Sequence, residues 1–400
     1  MSSSEEQPYP RFSDAEMQRR HEAVAEVMGR CHVDHLLVYG ANKFGTAVGW
    51  LTRWPVTREA YVVLSPGERD ALFVDFYNHV PLATRIATEA DVAGCEGRGI
   101  ENALAELRRR GADGKRIGVI GPLPWRAAAQ LRDVGAPVSL DAEYTKLRLI
   151  KSAEEIAWLR TGCGLTDRAV EALRAGARPG VSERELGAMV EGAYLGEGGT
   201  THIHYFATTP MDEPGTSVPA QWPSTRRLRT GDALVCEISA AWWDYVGQVL
   251  RTYTVGAEPT PLYSELHDVA DAAFDAVAGK LRAGATAQDL VDASGVIEDA
   301  GFTTRDDLVH GFVGAYLPPV LGTRSRQLAP VPDFTFRAGM TVVVQPNVVT
   351  RDESAGVQTG ELLLVTADGC ERLHAVERGM HAVGLETDVA DLAAGSRPRT

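Results

Sequence analysis

Pro223-Ser224-Thr225-Arg226-Arg227-Leu228-Arg229-Thr230-Gly231-Asp232 leads directly into Ala233-Leu234-Val235-Cys236-Glu237. A polar, basic segment closed by Gly-Asp and followed by four apolar residues reads as a turn feeding a buried strand, which delivers a carboxylate at Glu237. A second strand is predicted from Asp244 to Tyr253, with the polar Gln248 set among Val246, Val249 and Leu250.

Upstream, Ser152 and Glu155 form a capping box ahead of an amphipathic helix carrying Ile156, Leu159, Cys163 and Val170. A second box, Ser182 with Glu185, opens a helix that runs to Gly196-Glu197-Gly198-Gly199. Downstream the order returns: a helix from Ser264 to Lys280, then Leu281-Arg282-Ala283-Gly284-Ala285, then a helix capped by Thr286 and ending at Ala300-Gly301. Leu281–Ala285 repeats Leu173-Arg174-Ala175-Gly176-Ala177, and the matching context predicts an internal duplication, two αβ halves whose sheets face each other across a cleft.

Before Lys146 the texture differs. A helix is predicted from Asp14 to Gly29, then a strand from His35 to Tyr39. Paired strands follow at Ala60–Leu64 and Ala71–Val74, then a helix from Glu101 to Arg110 and a strand from Arg116 to Ile120. The expected fold class is α/β (α+β), with an N-terminal α/β domain over 1–145 and a duplicated C-terminal domain over 146–400.

The 400 residues are 44% hydrophobic, enough for two cores. A net charge of −14 argues against a nucleic-acid partner, because such binding draws on phosphate neutralisation by Lys and Arg. Cys31, Cys95, Cys163, Cys236 and Cys370 form no CxxC pair and suit reduced core residues of a cytoplasmic protein. Neither a signal peptide nor a membrane span is expected, since the start is acidic and no run approaches 18 apolar residues.

Taken in order, several frames resemble the creatinase/prolidase/aminopeptidase P superfamily, the pita-bread fold, in its two-domain form. They are Lys146 to Ile156, Pro223 to Asp232, His310-Gly311, Gly339-Met340, Gly356-Val357 and Leu364-Val365-Thr366. The resemblance implies a dinuclear metal site of two aspartates, a histidine and two glutamates. In this sequence those positions fall on Glu237, Gln248, His310, Gln345 and Gly360, with Glu361 beside the last. Neutral amides are poor substitutes for bridging carboxylates, so no metal and no other cofactor is expected. Three further family positions have changed: two histidines fall on Ala220 and Leu317, the latter next to Tyr316, and an arginine falls on Gln358. Creatinase, which manages without metal, keeps the first of those histidines, so its chemistry does not transfer residue by residue.

His202 and His204 share a face of the strand Thr201–Phe206 if side chains alternate, and each is either a replacement acid–base group or a structural histidine. His310 and Glu237 complete the catalytic candidates. Gln248, Gln345, Trp242, Trp243, Tyr316 and Glu361 are candidate substrate contacts, the tryptophans being alternatively core residues. The family likeness adds Trp54 and Arg58, reaching into a partner's cleft in a homodimer. The leading expectation is a metal-independent enzyme acting on a small polar or cationic compound by C–N hydrolysis. The alternatives are a non-catalytic pseudo-hydrolase that binds a ligand or protein, and an X-Pro peptidase with an atypical metal set.

Overall fold

The computed structural model describes residues 9–41, 46–327 and 329–385. The chain parts into two compact units between Arg148 and Leu149, where the sequence suggested 145/146. The difference has a local cause: a helix, Asp141–Leu149, runs across the expected boundary and stops only where Ser152 caps the next helix.

The first unit holds α1 (Asp14–Arg30), α2 (Ala47–Thr52), α3 (Val80–Ile86), α4 (Gly99–Arg109), α5 (Trp125–Leu131) and the start of α6 (Asp141–Leu149). Its strands are β1 (His35–Gly40), β2 (Ala60–Leu64), β3 (Asp70–Val74), β4 (Ala90–Gly94), β5 (Arg116–Ile120) and β6 (Ala136–Ser139), in the order β4-β3-β2-β1-β5-β6. β1, β5 and β6 run parallel, while β1, β2 and β3 pair antiparallel. Leu37, Val63, Leu104, Leu107, Ile117 and Leu131 make a core between sheet and helices.

The second unit contains α7 (Ala153–Gly176), α8 (Glu183–Leu195), α9 (Pro261–Lys280), α10 (Ala287–Ala293) and α11 (Val296–Asp299). Its strands begin with β7 (Thr200–Pro210), β8 (Asp232–Trp242), β9 (Tyr245–Val246), β10 (Val249–Val255), β11 (Thr303–Thr304), β12 (Val309–Phe312) and β13 (Tyr316–Leu321). They end with β14 (Thr341–Val344), β15 (Asn347–Val349), β16 (Gly356–Gln358), β17 (Gly360–Val365), β18 (Cys370–Arg372) and β19 (His381–Val383).

The main sheet runs β13-β12-β14-β17-β10-β8-β7. Read outward from the β17/β10 seam, β10-β8-β7 mirrors β17-β14-β12, each set preceded by its helix pair, as a duplication requires. The seam itself is short, with Val249 opposite Glu361 and Leu250 opposite Gly360. Arg251 reinforces it, donating from Nη1 to the Gly360 carbonyl at 2.7 Å and from Nη2 to Glu361 at 2.6 Å, with both side chains fully buried.

The repeat that suggested the duplication lies out of register. Leu173–Gly176 is the last turn of α7, whereas Leu281–Ala285 begins where α9 has ended. What corresponds is Ala177 to Ser182 with Leu281 to Thr286. Each stretch starts at a helix C-cap, passes a glycine at positive φ (Gly180 +93°, Gly284 +88°) and ends in a capping box. The C-terminal helix predicted up to Ala300 is broken into α10 and α11 at Ser294, whose hydroxyl donates back to the Val291 carbonyl.

The strand predicted over Asp244–Tyr253 is also interrupted, at Gly247-Gln248. Here α7 lies against the backbone. A Cβ on Gly247 would sit 2.6 Å from Cys163 Cα, one on Gly162 would overlap the Tyr245 carbonyl, and Thr166 Oγ1 accepts from Ala240 N–H at 3.0 Å. This contact sets the position of Gln248, and a matched pair of substitutions tests it. Gly162→Ala should destabilise the protein by about 3 kcal/mol through forced separation of helix and strand. Gly164→Ala, on the same helix but facing open space, should stabilise by about 0.5–1 kcal/mol, both read from denaturant unfolding.

Candidate functional site

Alternation along β8 sends Leu234, Cys236, Ile238 and Ala240 into the core under α7 and α8, which turns Glu237 and Ser239 to the opposite, cleft face. On β14, Val342 and Val344 enter the core beneath α9, so Val343 and His310, which lies opposite it on β12, face the cleft. Residues from both halves meet there. Gln248 Nε2 donates to Glu237 Oε1 at 2.7 Å and, across the seam, to Gln345 Oε1 at 3.4 Å. Gln345 Nε2 donates onward to Asp307, at 3.1 Å to Oδ1 and 3.3 Å to the carbonyl. Asp307 Oδ2 lies 3.2 Å from His310 Nδ1, and Tyr316 OH donates to Oδ1 at 3.4 Å while its ring packs 3.9 Å from the imidazole. The amides act as donors along this chain, Gln248 to Glu237 and Gln345, and Gln345 to Asp307.

Burial dominates the electrostatics. Glu237 is pushed up to about 8, first by burial and then by the charge of Asp306, against the opposing Gln248 hydrogen bond. Asp307 is raised for the same reasons, with Asp306 also sharing a hydrogen bond with its carboxyl. His310 is pushed down to about 3 by burial alone, so it is neutral beside a carboxyl that also prefers to be neutral. Asp307 orients its imidazole through Nδ1, and Nε2 has no partner among the described residues.

Glu237, Gln248, Gln345, His310 and Tyr316 are therefore brought together, and Asp307, absent from the expectations, joins them. The doublet Asp306-Asp307 just before the His310-Gly311 strand was the available signal. Other expectations need correction. His202 sits at a β-bulge between Thr201 and Ile203, which breaks the alternation. His204 consequently faces the helices, its Nε2 2.7 Å from Tyr194 OH in the core, while the His202 ring lies 5.9 Å from Phe312 on the cleft side. Burial pushes both histidines down to about 4.

Trp242 packs on the core under α7 and α8, and Trp243, at a turn with φ 54°, lies 6.4 Å from Trp158 of α7, so neither forms the cleft wall. Glu361 is on the helix face, held by Arg251 and Arg372, and is a structural carboxylate. Trp54 is 1% exposed inside the first unit's core, so it has no surface to offer a partner's cleft. Arg58 is exposed and lies 3.3 Å from Asp75 in that unit. An open cavity of about 510 Å³ beside Phe73 also belongs to the first unit; its Arg69, Arg109 and Arg110 pair with Asp91, Glu68 and Glu106, and it holds none of the candidates.

The sequence matches the family model of metallopeptidase family M24 over residues 157–367. The chain belongs to that family. An uncharacterized hydrolase/peptidase of Sinorhizobium fredii is 25% identical to this M24 chain over 90% of it and 95% of the relative. A Xaa-Pro dipeptidase of Pyrococcus horikoshii is 25% identical over 66% of the chain and 74% of its own length. In fold, the M24 chain resembles a prolidase from Thermococcus sibiricus (TM-score 0.79, 18% identity, 93% of this chain and 100% of that one). It also resembles a Xaa-Pro dipeptidase from Bacillus anthracis (TM-score 0.76, 20% identity, 92% and 100%). The two-domain form with a C-terminal pita-bread domain is thus shared.

The residues at the family's metal positions do not fit a dinuclear centre. Of these positions only Glu237 and His310 retain ligand chemistry, and the Gln248 amide donates its N–H groups to Glu237 and Gln345. A Cβ at Gly360 would sit 2.8 Å from Gln345 Cα, leaving no room for a carboxylate side chain. Among the described residues no three His, Cys, Asp or Glu side chains are grouped to hold a metal ion, and no helix is long and apolar enough to cross a membrane.

The raised Glu237 carries a pH signature. Unfolded, it loses its proton near 4.5; folded, it keeps it to about 8. The native state therefore binds more protons through that window, and stability is full below 4.5 and falls as pH rises towards 8. Glu237→Gln has nothing to titrate and should abolish a pH-dependent loss of order 5 kcal/mol. Thermal melts of both proteins from pH 4.5 to 8.5 should converge at low pH and separate at high pH; parallel curves would contradict the buried, protonated Glu237.

Proposed function

We propose that this M24 chain is a metal-independent hydrolase that cleaves a C–N bond of a small polar compound. The observation carrying the reading is the continuous Glu237–Gln248–Gln345–Asp307–His310 hydrogen-bonded chain, which takes the place of the family's metal-binding carboxylates. Glu237, protonated near neutral pH by its burial, is the general acid for a leaving nitrogen, and Gln248 holds its carboxyl in place. Water adds to the carbon, the C–N bond breaks as Glu237 protonates the leaving nitrogen, and the proton lost by the added water returns to the Glu237 carboxylate, while Asp307 and His310 orient the water. The cleft's amides position the substrate. Deprotonation of Glu237 above about pH 8 removes the acid, so turnover declines on that side.

A second reading, an X-Pro peptidase with an atypical metal set, is favoured by the likeness to Xaa-Pro dipeptidases. Metal content separates the two. Protein purified without chelator should contain well under one equivalent of transition metal by elemental analysis, because too few anionic ligands remain to hold two ions. Close to two tightly held ions per chain would overturn the metal-free reading in favour of the peptidase.

A further inference from the structure

Beside the hydrogen-bonded chain lies a second set of polar groups that it does not use. Gln248 Oε1, Gln358 Oε1, both Asn347 side-chain atoms and His310 Nε2 are buried without a hydrogen-bond partner among the described residues. The four residues are at most 1% exposed. Leaving a buried polar group unpaired costs roughly 1–3 kcal/mol, so a ligand that supplies the partners recovers that cost.

Strand geometry gathers these groups on one side. Asn347 and Gln358 are direct partners across β15 and β16, so their side chains share a face. Val348 and Val357 enter the apolar cluster beneath α9, which sends Asn347 and Gln358 the other way. The same alternation, followed through Val343, Gln345 and Asn347 and back through Gln358 and Gly360, keeps them on the cleft side. Thr252 Oγ1 anchors the Gln358 backbone, donating to its carbonyl at 3.0 Å and accepting from its N–H at 2.9 Å.

The inventory of these atoms is lopsided. Three amide oxygens accept and only the Asn347 amide nitrogen donates, while the His310 Nε2 takes either role with its tautomer. The complementary ligand carries several N–H donors and one carbonyl. A carboxylate has only acceptors and would meet the amide oxygens lone pair to lone pair, with Gln358 standing where the family resemblance places an arginine. We infer that the cleft recognises an uncharged planar carboxamide or ureido group and discriminates against a carboxylate. This specificity rests on the reading of the cleft as the substrate site but not on its catalytic chemistry.

Two matched probes test it: glycyl-prolinamide and its free acid, glycyl-proline, titrated against the full chain by saturation-transfer NMR at pH 7. The amide should bind about tenfold or more tightly than the acid, about what one net hydrogen bond contributes. Gln358→Arg, which supplies a cation, should reverse the order. Equal or tighter binding of the acid by the unaltered protein, or no binding of either probe, overturns the inference, and so does an unchanged order in a folded Gln358→Arg variant. The wild-type comparison decides the matter even if the variant fails to fold. Binding is read without turnover, so a preference for the amide in a chain that holds two metal ions would sink the metal-free hydrolase alone, leaving the specificity in place.

Discussion

The seam between β10 and β17 is the constraint on which the second unit depends. Two similar halves meet along a short stretch of backbone pairing, and the fully buried Arg251 bridges it by holding the Gly360 carbonyl and the Glu361 carboxylate together. Such a pair is strongly destabilising to break, because either partner alone is a buried, uncompensated charge. Arg372 adds a second cation to Glu361 from β18, and burial of that carboxylate is thereby offset; its pKa is lowered despite burial. The candidate site lies on the other face of the same seam. Glu237 and Gln248 come from one half, Gln345, Asp307 and His310 from the other, and the Gln248–Gln345 bond crosses between them.

The two faces handle charge in opposite ways. On the helix side, Glu361 is ionised and matched by arginines. On the cleft side no such cation among the described residues bonds Glu237 or Asp307, and burial instead favours their protonated forms. Replacing carboxylates by glutamines at Gln248 and Gln345 keeps side chains long enough to reach the centre while removing the repulsion that several buried anions would create. The result is a hydrogen-bonded centre on strands held by packing and by the Arg251 pair.

Much of this was legible in the sequence, and the residues show where legibility ended. Both capping boxes, the Gly-Asp turn into β8 and strands β1, β2, β3 and β5 of the first unit come from local rules and lie where the sequence places them, whereas β4 and β6 went unread. The Leu-Arg-Ala-Gly-Ala repeat misled in register because identity of letters says nothing about which turn of a helix they occupy. The glycine at positive φ and the cap that follows it mark the true correspondence. His202 and His204 were separated by a bulge, an extra residue in one strand that no period-two count reveals. Trp242 and Trp243 went to the helices because the close approach of Gly162 and Gly247 brings α7 down on that turn.

What the sequence by itself determined is the family frame, the division into two units, and the amides and glycine that stand where the resemblance implies metal-binding carboxylates, since these depend on residue identity at positions ordered along the chain. The tertiary structure decided which polar groups converge. Asp307 enters the site because β12 lies beside β14, and Glu361 leaves it because it is one residue removed from Gly360 on a strand whose faces alternate. Contacts between residues far apart in sequence depend on strand pairing and on the side to which each side chain turns, and neither is written in any local stretch of the chain.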